Sequence, residues 1–262
     1  MKKERIDVLL VERGFFPSRE RAQSALMSGI VLVSERKIDK PGTKVAADSD
    51  IRIIGDQLPY VSRGGLKLEK ALKAFSIDLS GKIMADFGAS TGGFTDCALQ
   101  NGAQKVYAVD VGYGQLAWSL RQDSRVINIE RTNARYLTTG QITDKLDFAS
   151  MDMSFISLDK VLPAIKPFLR DDAEIVALVK PQFEAGRENV GKKGVVRDKK
   201  VHEDVLEKVI AMSIGNGFYV KGLDYSPIKG PEGNIEYLLY LSLSGGHEKL
   251  DIKKLVETAH LM

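Results

Sequence analysis

The chain has 262 residues, 44% of them apolar and 28% charged, and carries a formal net charge of +3. These values are ordinary for a soluble globular protein, and the length allows one large domain or two small ones. The single cysteine, Cys97, excludes an internal disulfide, and no apolar run approaches the roughly 18 residues that span a bilayer. Because the N-terminus also lacks the apolar core of a signal peptide, we expect a cytoplasmic protein without a membrane segment.

Residues 1–57 are predicted to form a small α+β domain. A first helix is expected to begin at Ile6, and Ser18 can serve as the N-cap of a second helix that ends at Gly29. Short β-rich runs follow at residues 30–33 and 51–54. A unit with two helices and a small sheet is too small for a deep active site and is typical of a binding module.

This first segment resembles the S4 RNA-binding domain. The matching stretches are R-I-D at 5–7, S-R-E-R-A at 18–22, G-I-V-L-V at 29–33 and K-P at 40–41, while Ser34-Glu35 stands where the family often has Asn-Gly. The resemblance implies that a basic face on the paired helices contacts RNA phosphates. Taken singly, each of these cations is more simply explained as a solvated surface charge. The candidate RNA-binding residues here are Arg5, Ser18, Arg19, Arg21 and Lys40.

Residues 58–61 are predicted to form a linker and residues 62–262 a second domain. Alternating strand-like and helical runs predict a parallel sheet with crossover helices. The last two strands are joined by a connection too short for a crossover, so they should pair antiparallel. The expected fold class is therefore α/β, a doubly wound, mostly parallel seven-stranded sheet, followed by a short helix within residues 251–261. The predicted strands are 83–86, 105–110, 125–129, 147–151, 174–179, 218–225 and 236–242.

Two acids, Asp86 and Asp110, follow apolar runs about 20 residues apart. The small residues of the loop that begins at Asp86 let a ligand approach the backbone, but an acid there disfavours a pyrophosphate, and the usual nucleotide motifs are absent. Asp110 can accept hydrogen bonds from ribose hydroxyls. An adenosine ligand with a cationic tail, S-adenosylmethionine, fits both acids; a tight turn in another α/β protein is the alternative. The candidate cofactor-binding residues are Ser62, Gly64, Asp86, Gly88, Ser90, Thr91, Gly92, Gly93, Phe94, Asp110, Val111, Gln115, Leu116, Asn133 and Asp152.

Four charged residues, Lys67, Asp152, Lys180 and Glu236, stand near the ends of predicted sheet elements. The carboxyl ends of parallel strands line the ligand crevice of a doubly wound sheet, so these side chains are expected to converge as catalytic residues. Two lysines beside two acids suit the activation of a ribose 2′-hydroxyl, if one lysine acts as a base with a pKa lowered by desolvation or by the other cation. Taken separately, each residue could belong to a surface ion pair.

The whole chain is identified as a member of the hemolysin A (TlyA) family, in which an S4 domain is fused to an FtsJ-type methyltransferase domain. The hallmarks are S-R-G-G-L-K-L at 62–68, D-F-G-A-S-T-G-G-F-T-D at 86–96, A-V-D-V-G-Y-G-Q-L at 108–116, M-D-M-S-F-I-S-L at 151–158, V-K-P-Q-F-E at 179–184 and G-P-E-G-N-I-E at 230–236. The resemblance implies a class I methyltransferase fold and 2′-O-methylation of cytidine in 16S or 23S ribosomal RNA, with S-adenosylmethionine as cofactor and ribosomal RNA or ribosomal subunits as partner. It also places the four charged residues on the catalytic tetrad of the family. At 58–61, Leu-Pro-Tyr-Val replaces the R-x-W-V of some members.

A glycine-rich basic segment, residues 183–200, is predicted to form a mobile lip over the active site that grips RNA phosphates. A solvated loop is the alternative. Tyr113 and Trp118 are expected to pack near the adenine of the cofactor. The remaining candidate RNA-binding residues are Arg63, Arg187, Lys192, Lys193 and Arg197.

Two other classes of function stay open at this point. The family name suggests a membrane-lytic hemolysin, which the lack of a spanning segment opposes, and a binding protein that has lost catalysis would not need the four charged residues. No metal is expected, because the three histidines share no ligand spacing. The sequence does not fix the target nucleotide or the oligomeric state, and a monomer is compatible with it.

Overall fold

The computed structural model describes residues 3–54 and 58–262. The chain divides into two compact units, one that ends at Gly65 and one that begins at Leu66. The predicted boundary at residue 57 lies outside the described residues, and the division at 57, 61 and 62 stays a prediction.

The helices of the first unit follow the sequence pattern. Ile6 and Leu10 of the first helix are fully buried against Ala22 and Leu26 of the second. The Ser18 Oγ accepts a hydrogen bond from the Arg21 N–H, and Gly29 ends the second helix with φ 75°, which confirms both predicted helix ends. In chain order the elements are β1 (Lys3–Arg5), α1 (Ile6–Glu12), α2 (Arg19–Ser28), β2 (Val31–Val33), β3 (Arg36–Lys37), β4 (Lys44–Ala46) and β5 (Ile51–Ile53).

The strands of the first unit form two small antiparallel sheets, β1–β4 and β3–β2–β5. Strands β1, β3 and β4 were not predicted, because β1 and β3 consist only of charged residues and β4 has only three residues. Ser34 and Glu35 join β2 to β3 with φ values of 48° and 61°. Two left-handed residues are what a tight hairpin requires, so this pair keeps the turn that Asn-Gly would otherwise form.

The second unit is a seven-stranded sheet in the order β11-β12-β10-β9-β6-β7-β8. Strands β6 to β10 run parallel, while β12 runs antiparallel to both β10 and β11, as predicted. This order is that of a doubly wound sheet with an antiparallel end. The elements are α3 (Gly64–Phe75), β6 (Ile83–Phe87), α4 (Gly93–Gln100), β7 (Lys105–Val109), α5 (Trp118–Arg121), β8 (Val126–Ile129), β9 (Leu146–Met151), α6 (Leu162–Ile165), β10 (Leu169–Val179), α7 (Pro181–Glu184), α8 (Lys199–Gly215), β11 (Tyr219–Tyr225), β12 (Tyr237–Ser242) and α9 (Ile252–Ala259), the last being the predicted tail helix.

The strand register places polar residues together at one edge of this sheet. Val179 of β10 pairs with Tyr237 of β12, so Lys180, which follows one strand, lies beside Glu236, which precedes the other. Strand β9 ends at Met151 next to the end of β6. Asp152 therefore emerges at the same edge, where its N–H donates to Phe87 O at 3.0 Å. Apolar side chains of β6, β7, β9, β10, β11 and β12 form a buried core below this edge.

Candidate active site

The structure brings Lys67, Asp152, Lys180 and Glu236 into one buried cluster. The Lys67 Nζ lies 2.7 Å from Glu236 Oε2 and 3.2 Å from Asp152 Oδ2. The Lys180 Nζ forms an ion pair with the other carboxylate oxygen of Asp152 and donates to Ser154 Oγ at 3.0 Å. Both lysines are only 7% exposed and Glu236 only 1%, so these charges interact in a poorly solvated environment.

The opposite charges of this cluster shift the pKa values of Lys67 and Asp152. Burial alone would lower the pKa of Lys67, but the carboxylates of Asp152 and Glu236 outweigh burial and raise that pKa above its ordinary value. Burial likewise opposes ionisation of Asp152, yet the ammonium groups of Lys67 and Lys180 lower its pKa. Lys67 is therefore a fixed cation, and Asp152 lies between it and Lys180.

The loop before β12 packs closely on the Glu236 carboxylate. A Cβ atom added at Gly230 would lie 2.7 Å from Glu236 Oε1, so a larger side chain there would displace the carboxylate. The Gly230 N–H donates to Asn234 O at 2.9 Å, and the Ser226 N–H donates to Glu236 O at 2.8 Å. These contacts fix the carboxylate that Lys67 meets.

A cavity of about 480 Å³ adjoins the cluster at Asp152 and Ser154. Asp110 stands at the end of β7 on its wall, where its two oxygens accept from the Ser90 N–H at 2.8 Å and the Gly112 N–H at 2.7 Å. A carboxylate has about four acceptor sites, so both oxygens can still accept from a ligand. The sequence-predicted residues that line the cavity are Gly88, Ser90, Asp110, Val111, Gln115, Asn133 and Asp152.

A glycine is required at position 88, where the backbone of the cavity wall lies close to Asp152. Its φ is 84°, and a Cβ atom there would lie 2.7 Å from Asp152 O. A side chain at this position would be strained and would also push apart the loops that follow β6 and β9.

Asp86, predicted to bind the cofactor, is instead fully buried within β6. Its Oδ2 accepts from the backbone N–H and hydroxyl of Thr95, and its Oδ1 accepts from the Ser150 hydroxyl at 3.1 Å. Burial raises the pKa of Asp86 to about 7, against the effect of these hydrogen bonds. This acid ties the start of α4 to the sheet, so its assignment as a ligand contact is corrected.

Several other predicted cofactor residues do not line this cavity. Four of them are buried and pack inside the protein: Gly92, Gly93, Phe94 and Leu116. A Cβ atom at Gly92 would collide with Leu120. Thr91 accepts from the Ala117 N–H through its carbonyl. Ser62, Arg63 and Gly64 belong to the first unit, and their roles stay predictions.

The packing of Tyr113 and Trp118 near the adenine stays a prediction. They are 69% and 64% exposed and lie outside the cavity wall. The Arg131 guanidinium carbon lies 4.0 Å from the centroid of the Tyr113 ring, in a cation–π contact. Cys97 is fully buried, as expected for a packing residue.

Phe155 is the main residue that the sequence interpretation missed. It lines the cavity three residues after Asp152, is 90% exposed, and has φ 64°, a strained value for an aromatic residue. Its ring centroid lies 5.1 Å from that of Phe183. The signal was present in M-D-M-S-F-I-S-L, from which only the acid was selected. The other lining residues missed are Val109, Thr132, Ala134, Arg135, Met153, Ser154 and Ile156.

Glu184 connects the loop of Asp152 and Phe155 to α7, the helix after Lys180. Its carboxylate, 5% exposed, accepts from the Ser157 hydroxyl at 2.7 Å and from the Leu158 N–H at 2.8 Å. Burial raises the pKa of this carboxyl. Glu184 therefore holds the Asp152 loop against the element that follows Lys180.

The basic segment 183–200 is not a free lip. Arg187, Lys192, Lys193 and Arg197 are exposed, as a phosphate-binding role needs, but Val195 and Val196 between them are buried. The segment is thus anchored through its apolar residues, and its cations face solvent.

In the first unit, Asp7 organises the predicted RNA-binding arginines. Its fully buried carboxylate accepts from Arg5 at 2.9 and 3.0 Å and from Arg19 at 2.8 Å, while both arginines stay about half exposed. Arg21 donates to Leu58 O at 3.1 Å, and Lys40 is exposed. Arg5 and Arg19 are therefore held in fixed positions at the surface.

The sheet and the charged cluster of the second unit lie within the residues that a methyltransferase family model matches. The family model of FtsJ-like methyltransferases matches residues 60–243, and that of the S4 domain matches residues 4–51. The chain belongs to the FtsJ-like methyltransferase family and, through its S4 domain, to the group that includes TlyA and hemolysin A.

Relatives match this chain over nearly its full length. It is 56% identical to the Bacillus subtilis protein named "Putative rRNA methyltransferase YqxC", over 99% of this chain and 95% of that one. It is 45% identical to the 16S/23S rRNA (cytidine-2′-O)-methyltransferase TlyA of Mycobacterium tuberculosis, over 92% and 90% of the two chains. A solved structure described as "Putative hemolysin from Streptococcus thermophilus" is 50% identical, with a TM-score of 0.80 and coverage of 100% and 97%.

Within residues 3–54 and 58–262, no helix combines the length and apolar character needed to cross a membrane. The same residues contain no cluster of three or more His, Cys, Asp or Glu side chains suited to a metal ion.

Proposed function

We propose that this protein transfers a methyl group from S-adenosylmethionine to the 2′-hydroxyl of a cytidine in ribosomal RNA. The observation that carries the proposal is the buried cluster of Lys67, Asp152, Lys180 and Glu236 at the wall of the cavity. The TlyA relatives, named for this reaction, support the choice of substrate.

The cavity wall suits S-adenosylmethionine. Asp110 offers acceptors for ribose hydroxyls, Val111 and Ile156 offer apolar surface for an adenine, and Asp152 of the buried cluster lines the cavity as well. When bound, S-adenosylmethionine supplies a methyl group on a positively charged sulfur. Asp110, Gln115 and Asn133 would hold its nucleoside, and the backbone around Gly88 would border its other end.

The buried cluster would prepare the hydroxyl for attack. Lys67 acts as a fixed cation between Asp152 and Glu236, and Asp152 holds the Lys180 amine beside Ser154 at the cavity wall. Lys180 is the group we assign to orient the hydroxyl and to accept its proton, for which it must be in its neutral form. Positioning of the hydroxyl beside the methyl donor supplies a large further part of the rate.

Phe155 would stack on the base of the target nucleotide. Its exposed ring borders the cavity, and its positive φ holds the ring outward against the ordinary backbone preference. An enzyme that reacts at one nucleotide must hold that nucleotide away from its neighbours, and aromatic stacking is a usual means. The two arginines fixed by Asp7 in the first unit would bind phosphates elsewhere on the RNA.

The experiment is to map 2′-O-methyl groups on ribosomal RNA from cells with and without this protein, and then to repeat the methylation with the purified chain, S-adenosylmethionine and either isolated ribosomal subunits or protein-free RNA. We expect one or a few cytidines to depend on the protein. An unchanged pattern in cells, together with no methyl transfer in vitro, would overturn the proposal. The comparison of subunits with free RNA identifies the substrate form.

A further inference from the structure

Residues 191–197 carry exposed cations and are here named the basic turn. The backbone of this turn forms two hydrogen bonds with one side chain that lies shortly before β12. The Val196 N–H donates to Asn234 Oδ1 at 3.1 Å, and Asn234 Nδ2 donates to Gly194 O at 2.9 Å. Asn234 is 2% exposed. One buried amide therefore holds the backbone of the turn at both Gly194 and Val196, and both its oxygen and its nitrogen are used.

A second buried side chain holds the same residue from the other side. His202 of α8 is fully buried, and its Nε2 lies 3.1 Å from Val196 O while its Nδ1 lies 2.8 Å from the Tyr237 hydroxyl. Because a carbonyl can only accept, Nε2 carries the proton and Nδ1 accepts from Tyr237. The Val196 N–H is thus hydrogen-bonded to the Asn234 side chain. The Val196 carbonyl is hydrogen-bonded to His202, which in turn bonds to the Tyr237 hydroxyl.

Residues 234–237 also carry the catalytic carboxylate. Asn234 precedes Glu236 by two residues, at most about 7 Å along an extended chain, and Tyr237 follows Glu236 directly. Tyr237 pairs with Val179, the residue before Lys180. The anchor of the basic turn is therefore built on the short segment that fixes Glu236 against Lys67.

The cations of the turn face outward from this anchor. Lys192, Lys193 and Arg197 are exposed and line a shallow groove of about 360 Å³ together with Asn189 and Asp198. The turn itself is closed by the Gly194 N–H donating to Gly191 O at 2.8 Å and the Gly191 N–H donating to Val195 O at 3.1 Å. Three cations on a rigid turn bind a phosphate backbone with less loss of conformational freedom than three cations on a free loop.

We infer that Asn234 and His202 are positioning residues that hold the basic turn in register with the catalytic cluster, so that RNA phosphates gripped by Lys192, Lys193 and Arg197 set the place of the reacting ribose. This inference rests on the proposed function. It assigns a role to two side chains that touch neither cofactor nor substrate, and it explains why a buried amide and a buried imidazole converge on one backbone residue of a surface segment.

The test measures the salt dependence of RNA binding by the full chain, with protein-free ribosomal RNA from cells that lack the protein as the probe. Lys192→Ala/Lys193→Ala should lower the slope of log Kd against log salt by about 0.7 to 0.9 per lost contact, so that the ratio of Kd at 200 mM to Kd at 50 mM falls roughly threefold per contact. Asn234→Ala keeps every cation, yet it should lower the slope by a similar amount. Added to Asn234→Ala, the two lysine substitutions should change the slope little further.

Two further variants guard against simple unfolding. Tyr237→Phe keeps the buried ring but removes the hydroxyl that holds His202, so it should lower the slope in the same direction by a smaller amount. Asn216→Ala removes an amide that bonds only to Met212 O at the end of α8, and it should keep the wild-type slope. Thermal unfolding of each variant is followed in parallel.

The inference is overturned if Asn234→Ala and Tyr237→Phe, both folded, keep the full salt slope, or if the lysine substitutions lower the slope equally in both backgrounds. These outcomes are distinct from a failure of the proposed function, which would appear as an absence of methyl transfer by the wild-type protein. Wild-type activity with additive slopes would remove only the role of Asn234 and His202.

Discussion

Thr95 donates twice to a single oxygen of Asp86, from its backbone N–H at 3.0 Å and from its hydroxyl at 2.7 Å. The pair joins the first turn of α4 to the end of β6, directly beneath the loop that borders the cavity. Both side chains are fully buried. Even these bonds do not compensate for the burial of the carboxylate, whose pKa is raised to about 7.

Asp86→Asn should remove a pH dependence of stability. Because the folded pKa of Asp86 lies above that of the unfolded chain, its contribution to stability is complete below about pH 4 and is lost as the pH rises through about 7. As the pH rises from about 4 to about 7, the free energy of unfolding of the wild type should fall by up to about 1.4 kcal/mol per pH unit. The Asp86→Asn variant should not show this fall. Urea unfolding at pH 5 to 8 measures it, with Asp171→Asn, an exposed acid, as control. Equal slopes for Asp86→Asn and wild type would show that Asp86 is ionised throughout.

Substitutions of the two lysines should have different effects. Lys180→Ala and Lys180→Arg should both abolish methyl transfer, since a guanidinium cannot accept the proton at working pH. Lys67→Arg keeps the fixed cation between Asp152 and Glu236 and should retain more activity than Lys180→Arg. Single-turnover methylation across a pH series measures this, with cofactor affinity as the check on folding. If Lys180→Arg kept most of the activity, Lys180 would act only as a positive charge and not as the proton acceptor.

Asp110→Ala should weaken the binding of S-adenosylmethionine by about 1–3 kcal/mol, the usual cost of losing hydrogen bonds to a charged group. Calorimetry on the full chain measures the affinity. Asp123→Ala is a matched control, because Asp123 also accepts a backbone N–H in a loop of the second unit but lies outside the cavity wall. An unchanged affinity in Asp110→Ala would contradict the assignment of the ribose site.

Phe155→Ala should lower kcat/KM for RNA while leaving cofactor affinity unchanged, by an amount equivalent to roughly 1–3 kcal/mol for one lost base stack. Phe155→Tyr should keep most of the activity because it keeps the aromatic face. A loss of cofactor binding in Phe155→Ala would instead indicate that the ring belongs to the adenine site.

Arg19→Ala/Arg21→Ala should weaken RNA binding and lower its salt slope by up to about one unit per lost contact. Since Arg19 also binds buried Asp7, the same variant should lose some stability of the first unit, which thermal unfolding would detect. Cofactor affinity should not change. An unaltered salt slope would show that this face does not bind RNA.

Much of the fold could be predicted because long apolar runs dominate it. All seven strands of the large sheet were located to within a few residues, the largest difference being β10, which begins at Leu169 and not at 174. The first five residues of that strand are largely charged or exposed, so hydrophobic periodicity could not reveal them. Strands β1 and β3 of the first unit, which consist of charged residues, escaped prediction for the same reason.

Site residues could be predicted where the type of residue indicates its chemistry. They could not be predicted where the role of a residue depends on its orientation in the folded structure. Lys67, Asp152, Lys180 and Glu236 could be selected by charge and strand position. The inward orientation of Asp86 depends on Thr95 and Ser150, which are distant in sequence or unremarkable in type. The exposure of Phe155 depends on a backbone angle that no composition reveals.

The place of β12 in the sheet has a consequence for how the protein is made. This strand comes last in the sequence but lies between β10 and β11. During synthesis those two strands emerge first and cannot pair correctly until β12 is inserted between them. The residues just before β12 also bring Glu236 to Lys67, so a nascent chain halted before residue 230 would have an incomplete catalytic cluster and two unpaired strand edges. Catalytic competence and protection against aggregation are therefore acquired in the same late event.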